Sequence, residues 1–196
     1  MTLAADVRRL VVSFVPRSEH DEAAAADFAA HFPDDHGPVF RDDGPSHATA
    51  SAFVFDATLT HTLLVFHGKG RFWVQPGGHL EDADASIADA ALRELREETG
   101  ITASATEPLL YDLDHHALSS AFGRCASHLD IGVAVVVPFS DALTVSEESE
   151  DVRWWPLDAL PGDVPEQFDR RIRALLERLG SRRATAALSP ESPELH

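Results

Sequence analysis

Residues 93–98 read Arg-Glu-Leu-Arg-Glu-Glu. On a helix of about 3.6 residues per turn, Glu94 and Glu98 stack one above the other and Glu97 lies beside them. Like charges at this spacing weaken an isolated helix by about 0.2–0.5 kcal/mol per pair. Two readings account for such crowding. In one, Asp89–Arg93 and Arg93–Glu97 are ordinary i,i+4 pairs on a solvated face. In the other, the carboxylates gather hard oxygen donors for Mg2+ or Mn2+. Ala91, Leu92 and Leu95 point the opposite way, so the three acids converge at the edge of a buried face.

The flanking residues favour the metal. The whole stretch is VQPGGHLEDADASIADAALRELREETGI. A Pro-Gly-Gly loop precedes the helix, and such glycines let backbone approach a ligand closely. Asp84 or Ser86 can cap the helix start, and Gly100 stands where a left-handed C-cap belongs. This stretch resembles the signature box of the Nudix hydrolases. Arg93-Glu94-Leu95, Glu97-Glu98 and Gly100-Ile101 match its second half throughout. Counted from Gly78, the loop carries one extra residue, so the early acid of the box falls on Asp84, with Glu81 as the alternative.

The resemblance covers about residues 49–180. It implies an α/β/α sandwich with a mixed β-sheet, and hydrolysis of a nucleoside diphosphate linked to another group. By position it makes Glu94, Glu97 and Glu98 ligands of Mg2+ or Mn2+, with the carbonyl of Gly77 a further ligand. Arg93 then orients a glutamate through a charge-assisted hydrogen bond. A late loop often supplies another glutamate ahead of an aromatic strand, and SEESEDVRWW has that shape. Glu148 is the choice there, with Glu147 and Glu150 as substitutes, against a plain solvated turn. The general base is a carboxylate of the cluster or one from a loop.

A second group of residues is polar within strand-like segments: His79 after the glycines, His116 in DLDHH, and His128 and Asp130 in SHLDIGV. Across neighbouring strands they can face one another and bind substrate, or serve as satisfied surface side chains. Phe66 and Trp73 either stack a base or fill the core.

The elements that position these residues follow from periodicity. Leu3, Val7, Leu10, Val11 and Phe14 have helical spacing, and EAAAADFAAHF (22–32) is a second helix. Residues 33–47 hold three prolines and two glycines and form a connecting loop. TASAFVFD and HTLLVFH make a hairpin, and RFWVQ is a third strand. LLYDLDH and the apolar HLDIGVAVVVPF are strands, the latter central. VRWWP is a last strand, followed by an amphipathic helix over 164–179. Residues 1–45 are expected as a helical extension and linker, 46–180 as the Nudix hydrolase domain, and 181–196 as a flexible tail. The extension caps the pocket, covers a sheet edge or mediates a homodimer.

The chain has 196 residues, 33 acidic against 16 basic, for a net charge of −17. Such a surface disfavours nucleic-acid phosphates and anionic membranes, leaving a small diphosphate bridged by a cation. One cysteine excludes an internal disulfide and makes a cytoplasmic setting the default. The proline, tyrosine and extended arrays that mark ADP-ribose, dinucleoside-polyphosphate and NADH subclasses are missing. Nucleoside triphosphates, modified nucleotides and nucleotide sugars remain. The competing readings are a non-hydrolytic sensor on the same fold, disfavoured by the intact acidic triplet, and an isoprenoid-diphosphate isomerase, which would rest on Cys125.

Overall fold

The computed structural model describes residues 1–105, 108–120, 123–146 and 149–188, with side chains through 186. Strands β1 (Ser46–Asp56), β2 (His61–His67), β3 (Phe72–Val74), β4 (Gly77–His79), β5 (Tyr111–Ala117), β6 (Ser127–Val137) and β7 (Ser149–Pro156) form one mixed sheet of seven strands. Its main order is β3-β2-β1-β6-β5, with β4 on β1 and β7 on β2. Strands β1 and β6 pair in parallel along their full length, Ser46 with Ser127 through Asp56 with Val137. The other pairs are antiparallel.

Alternation of side chains across each strand divides the sheet into two faces. Ala48, Ala50, Ala52 and Val54 of β1 share one face with Leu129, Ile131 and Val133 of β6. Helices α1 (Leu3–Ser13), α2 (Glu19–His31) and α3 (Ile87–Thr99) cover it through Val7, Leu10, Phe28, Ile87 and Leu95. The opposite face carries Phe53, Phe55 and Ala134 against Phe168, Ile172 and Leu175 of α4 (Phe168–Leu188). The result is the expected α/β/α sandwich.

Three elements differ from the sequence reading. The Gly-Gly-His segment is a strand, because Thr49, Ala50 and Ser51 of β1 impose their register on it. Helix α4 starts at Phe168, since Gln167 sits at φ 70° and breaks the turn before it. It also continues past the expected tail boundary at 181 to Leu188: Arg182 Nη1 donates to the Pro108 carbonyl at 2.6 Å and Arg183 Nη1 to that of Ala57 at 2.8 Å. Residues 189–196 lie outside the described residues.

Residues 1–45 are built into the core. Helix α2 lies along the edge strand β5, where His20 Nε2 meets Asp114 Oδ1 and Asp27 Oδ2 meets His115 Nδ1, each at 2.8 Å. Tyr111 Oη donates to the Leu10 carbonyl at 2.8 Å. Covering an otherwise unpaired edge is thus one role of this segment.

The β1–β2 turn depends on Asp56. Its Oδ1 accepts from the amides of Thr60 and His61, both at 2.7 Å, and its Oδ2 from that of Thr58 at 3.1 Å. Burial alone would raise the carboxyl pKa, but a hydrogen bond from the Thr58 hydroxyl, foremost, and these amides outweigh it and lower the pKa to about 2. The folded value lies below the unfolded one, so the stabilisation is complete above the unfolded pKa and is lost as pH falls through the folded one. Asp56→Asn is expected to cost about 1–3 kcal/mol at neutral pH. Urea titrations should show the gap from wild type closing as pH drops from about 4 to about 2.

Candidate active site

Ser86 caps α3 by accepting from the Asp89 amide at 3.1 Å, and Gly100 ends the helix at φ 77°. Asp89 accepts from the Ser86 hydroxyl at 2.9 Å, so it belongs to the cap. A second carboxylate holds the helix start: Asp6 of α1, fully buried, accepts from the Ile87 amide at 2.9 Å. Negative charge at a helix N-terminus is favourable. The N-terminal segment therefore fixes the position of the acidic helix.

Arg93 organises the carboxylates. Its Nε and Nη2 bind the two oxygens of Asp84 at 2.9 and 3.0 Å. Its Nη1 donates to Glu94 Oε1 at 2.9 Å and Glu97 Oε2 at 3.1 Å. Its Nη2 also donates to the His79 carbonyl at 2.9 Å, tying α3 to β4. Asp84, foremost, and Glu94 hold the guanidinium pKa above its usual value despite burial. Asp84 is thus the structural acid of the loop, while Glu81 is exposed and lies 3.7 Å from the same guanidinium. One arginine answers part of the repulsion in the helix; the carboxylates around it still outnumber it.

Glu98 Oε2 accepts from the Gly77 amide at 2.9 Å, and its Oε1 lies 3.5 Å from the Ser149 hydroxyl at the start of β7. Gly78 faces Glu94, where a Cβ would stand 2.7 Å from Oε1. The glycines thus lie against Glu94 and Glu98, whose carboxylate oxygens are donors of the type a hard divalent cation takes. Gly78→Ala is expected to displace Glu94 and lower kcat about tenfold to a hundredfold with the fold intact, since misplacement by about 1 Å acts on that scale. At Gly77 a Cβ would meet Ser51 Cβ at 2.5 Å and the Ala50 carbonyl at 2.8 Å. Gly77→Ala should therefore cost stability, about 1–3 kcal/mol. Circular dichroism melts beside kcat separate the two.

Of the loop acids, Glu147 and Glu148 lie outside the described residues. Glu150 is half exposed and pairs with Arg71. The late loop nevertheless rejoins the site through Ser149.

The polar strand residues divide into two groups. His116 and His128 are cross-strand partners with ring centroids 5.8 Å apart, and His79 lies 5.2 Å from His128. His47, which the sequence reading passed over, joins them at 5.1 Å from His79 and 5.2 Å from His128. Burial, neighbouring histidines and Arg41 lower the pKa of His79 to about 4 and of His128 to about 3. Asp130, expected beside them at a pocket, is instead buried in a network centred on Arg171, which His116 reaches through Asp114. It accepts from Thr49 Oγ1 at 3.1 Å, Ser51 Oγ at 2.8 Å and Arg171 Nη2 at 2.7 Å. Its position on a central strand beneath α4 leaves it no open face. Trp73 is core, edge-on to Phe66 and Trp155.

Comparison with known proteins identifies the family of the fold. The NUDIX domain family matches residues 45–179. That match covers more than half of the chain, and the chain belongs to the Nudix hydrolase family. Phosphatase NudJ of Escherichia coli K12 is 47% identical over 57 residues, 29% of this chain. The chain spans about a third of the length of that relative, 31%. A NUDIX-family hydrolase from Clostridium perfringens superposes with a TM-score of 0.52 at 18% identity, over 68% of this chain and 97% of that one. The E. coli dihydroneopterin triphosphate pyrophosphohydrolase gives 0.55 at 14%, over 72% and 99%. The NUDIX domain of Shewanella oneidensis NrtR, complexed with ADP ribose, gives 0.50 at 22%, over 67% and 87%. Among the described residues no helix is long and apolar enough to cross a membrane.

Proposed function

We propose that the chain is a divalent-metal-dependent pyrophosphohydrolase that cleaves a diphosphate linkage in a small nucleoside diphosphate derivative. The observation that carries this reading is that Arg93 binds Glu94 and Glu97 on α3 while Glu98, one turn on from Glu94, accepts from the Gly77 amide of β4. Glu94, Glu97, Glu98 and the Gly77 carbonyl would hold Mg2+ or Mn2+. When bound, that cation supplies the positive charge an acidic chain needs to accept a pyrophosphate, and Lewis acidity at phosphorus.

The chain's own groups do the rest. Arg93 fixes the rotamers of Glu94 and Glu97, so no reorganisation is required during reaction. The Gly77 amide and Ser149 hydroxyl fix Glu98. A carboxylate of this cluster, or Glu148 from the late loop, takes the proton of the attacking water as the phosphoanhydride P–O bond breaks. His116, partly exposed on β5, is the side chain of the histidine group offered for contacts with the group beyond the diphosphate. ADP ribose and dihydroneopterin triphosphate, named for two proteins of like fold, are small phosphoanhydrides of this class. The unit that carries the chemistry is residues 46–180, with 1–45 as its support and the setting cytoplasmic.

The test is phosphate release, with a coupled pyrophosphatase, in Mg2+ and in Mn2+. The panel holds ordinary and oxidised nucleoside triphosphates, ADP-ribose, dinucleotides and nucleotide sugars. Turnover of one class, abolished by chelation, is the expected result. Folded protein that turns over nothing, yet is thermally stabilised by one of these ligands, would make it a binding module.

A further inference from the structure

His47 is fully buried at the start of β1. Its Nδ1 lies 2.9 Å from the Gly44 carbonyl, which only accepts, so Nδ1 carries the proton and Nε2 presents a lone pair. That Nε2 is buried and has no hydrogen-bond partner, and the same is true of His128 Nε2. A buried polar atom left unpaired costs about 1–3 kcal/mol, so two orphaned imidazole nitrogens beside each other call for a shared partner. The surrounding donors supply its coordination. Cys125 Sγ, in the connection from β5 to β6, lies 4.0 Å from His79 Nε2. One ring nitrogen from each of His47, His79 and His128, together with Cys125 Sγ, all lie within 4.8 Å of one another.

We propose that His47, His79, Cys125 and His128 form a four-ligand site for one transition-metal ion of the zinc type, distinct from the oxygen-donor site on α3. Nitrogen and thiolate donors select Zn2+ over Mg2+. In tetrahedral coordination with bonds of about 2.0–2.3 Å, neighbouring donors stand about 3.3–3.8 Å apart, so a contraction of about 1 Å closes the shell. The Gly44 carbonyl on His47 Nδ1 is the outer contact that fixes a ligating tautomer. Four protein ligands leave no open position, which is the mark of a structural site. A cleft of about 290 Å3, lined by Arg41, Asp42, Gly44, Pro45, Arg124 and Cys125, reaches one of the four ligands. The ion joins the start of β1, strand β4 and the β5–β6 connection. Because the His79 carbonyl accepts from Arg93, it also steadies the strand beneath the glutamates. This site stands or falls independently of the proposed hydrolysis.

The test uses the full chain, stripped by chelation and titrated with Co2+ in excess Mg2+, added to fill the proposed oxygen-donor site. One equivalent of Co2+ should give intense tetrahedral d–d bands and a thiolate charge-transfer band, both displaced by Zn2+. Cys125→Ser should abolish the charge-transfer band, and Cys125→Ser or His128→Gln should weaken binding at least about tenfold, with folding checked by circular dichroism. Glu98→Gln should leave the spectrum unchanged. The proposal is overturned if the folded chain shows no tetrahedral bands at one equivalent, if both ligand variants bind as wild type, or if Glu98→Gln removes the bands.

Discussion

Glu98→Gln lowers kcat by more than about a hundredfold while the protein melts as wild type does; this is the expected result, on the scale of losing a key electrostatic contact. Glutamine keeps the shape of Glu98 and an oxygen that accepts from the Gly77 amide, now 2.9 Å from Oε2. What it removes is one negative charge from a helix that carries too many for its own stability. Folding therefore has little to lose. Binding of a divalent cation has much to lose, because hard-cation sites depend on ligand charge. Glu97→Gln is expected to act alike: its side chain is about half exposed, so the substitution barely touches packing. A matched fall in melting temperature and activity for both variants would instead give the glutamates a structural role.

The largest effect on stability is expected beneath α4. Arg171 is buried, 5% exposed, and bridges three carboxylates. Its Nε and Nη2 reach Asp112 at 2.6 and 3.1 Å, Nη2 reaches Asp130 at 2.7 Å and Nη1 reaches Asp114 at 3.4 Å, with the guanidinium 5.0 Å over the Phe53 ring. Burial alone would lower its pKa, but Asp112, Asp114 and Asp130 hold it well above the usual value. Arg171→Met leaves these acids buried without their cation, which costs about 3–5 kcal/mol. That is a large share of the roughly 5–15 kcal/mol that holds a domain together. The urea midpoint should fall at unchanged slope. Burial raises the Asp112 pKa even beside Arg171. A carboxyl whose folded pKa is raised stabilises below its unfolded value and loses that contribution as pH rises. The variant should accordingly recover part of its deficit on acidification, and Asp112→Asn should rescue part of it at neutral pH.

The acidic helix was legible in the sequence because its geometry is local. Arg93, Glu94, Glu97 and Glu98 are brought together by a period of about 3.6 residues, Gly100 by its left-handed cap, and Asp84 by its place in the loop. The hairpin and the central strand followed from alternation and apolar runs of similarly short range, and the sandwich from the family resemblance. Strand β4 did not, because Gly-Gly-His has no strand propensity of its own and is held by the register of β1. Asp130 reads as a pocket residue, yet it lies with Asp112 and Asp114 under an arginine some forty residues or more downstream.

By itself, then, the sequence determined the acidic helix and most of the strands through spacing within single elements, and the layered fold through the resemblance that the helix motif carries. Tertiary structure alone decided that Asp6 caps α3 across 81 residues, that Arg171 neutralises the polar face, and that His47 and Cys125 join His79 and His128. Those contacts depend on the parallel pairing of β1 with β6 and on which helix covers which face. They are products of long-range register and packing, for which a one-dimensional pattern carries no period.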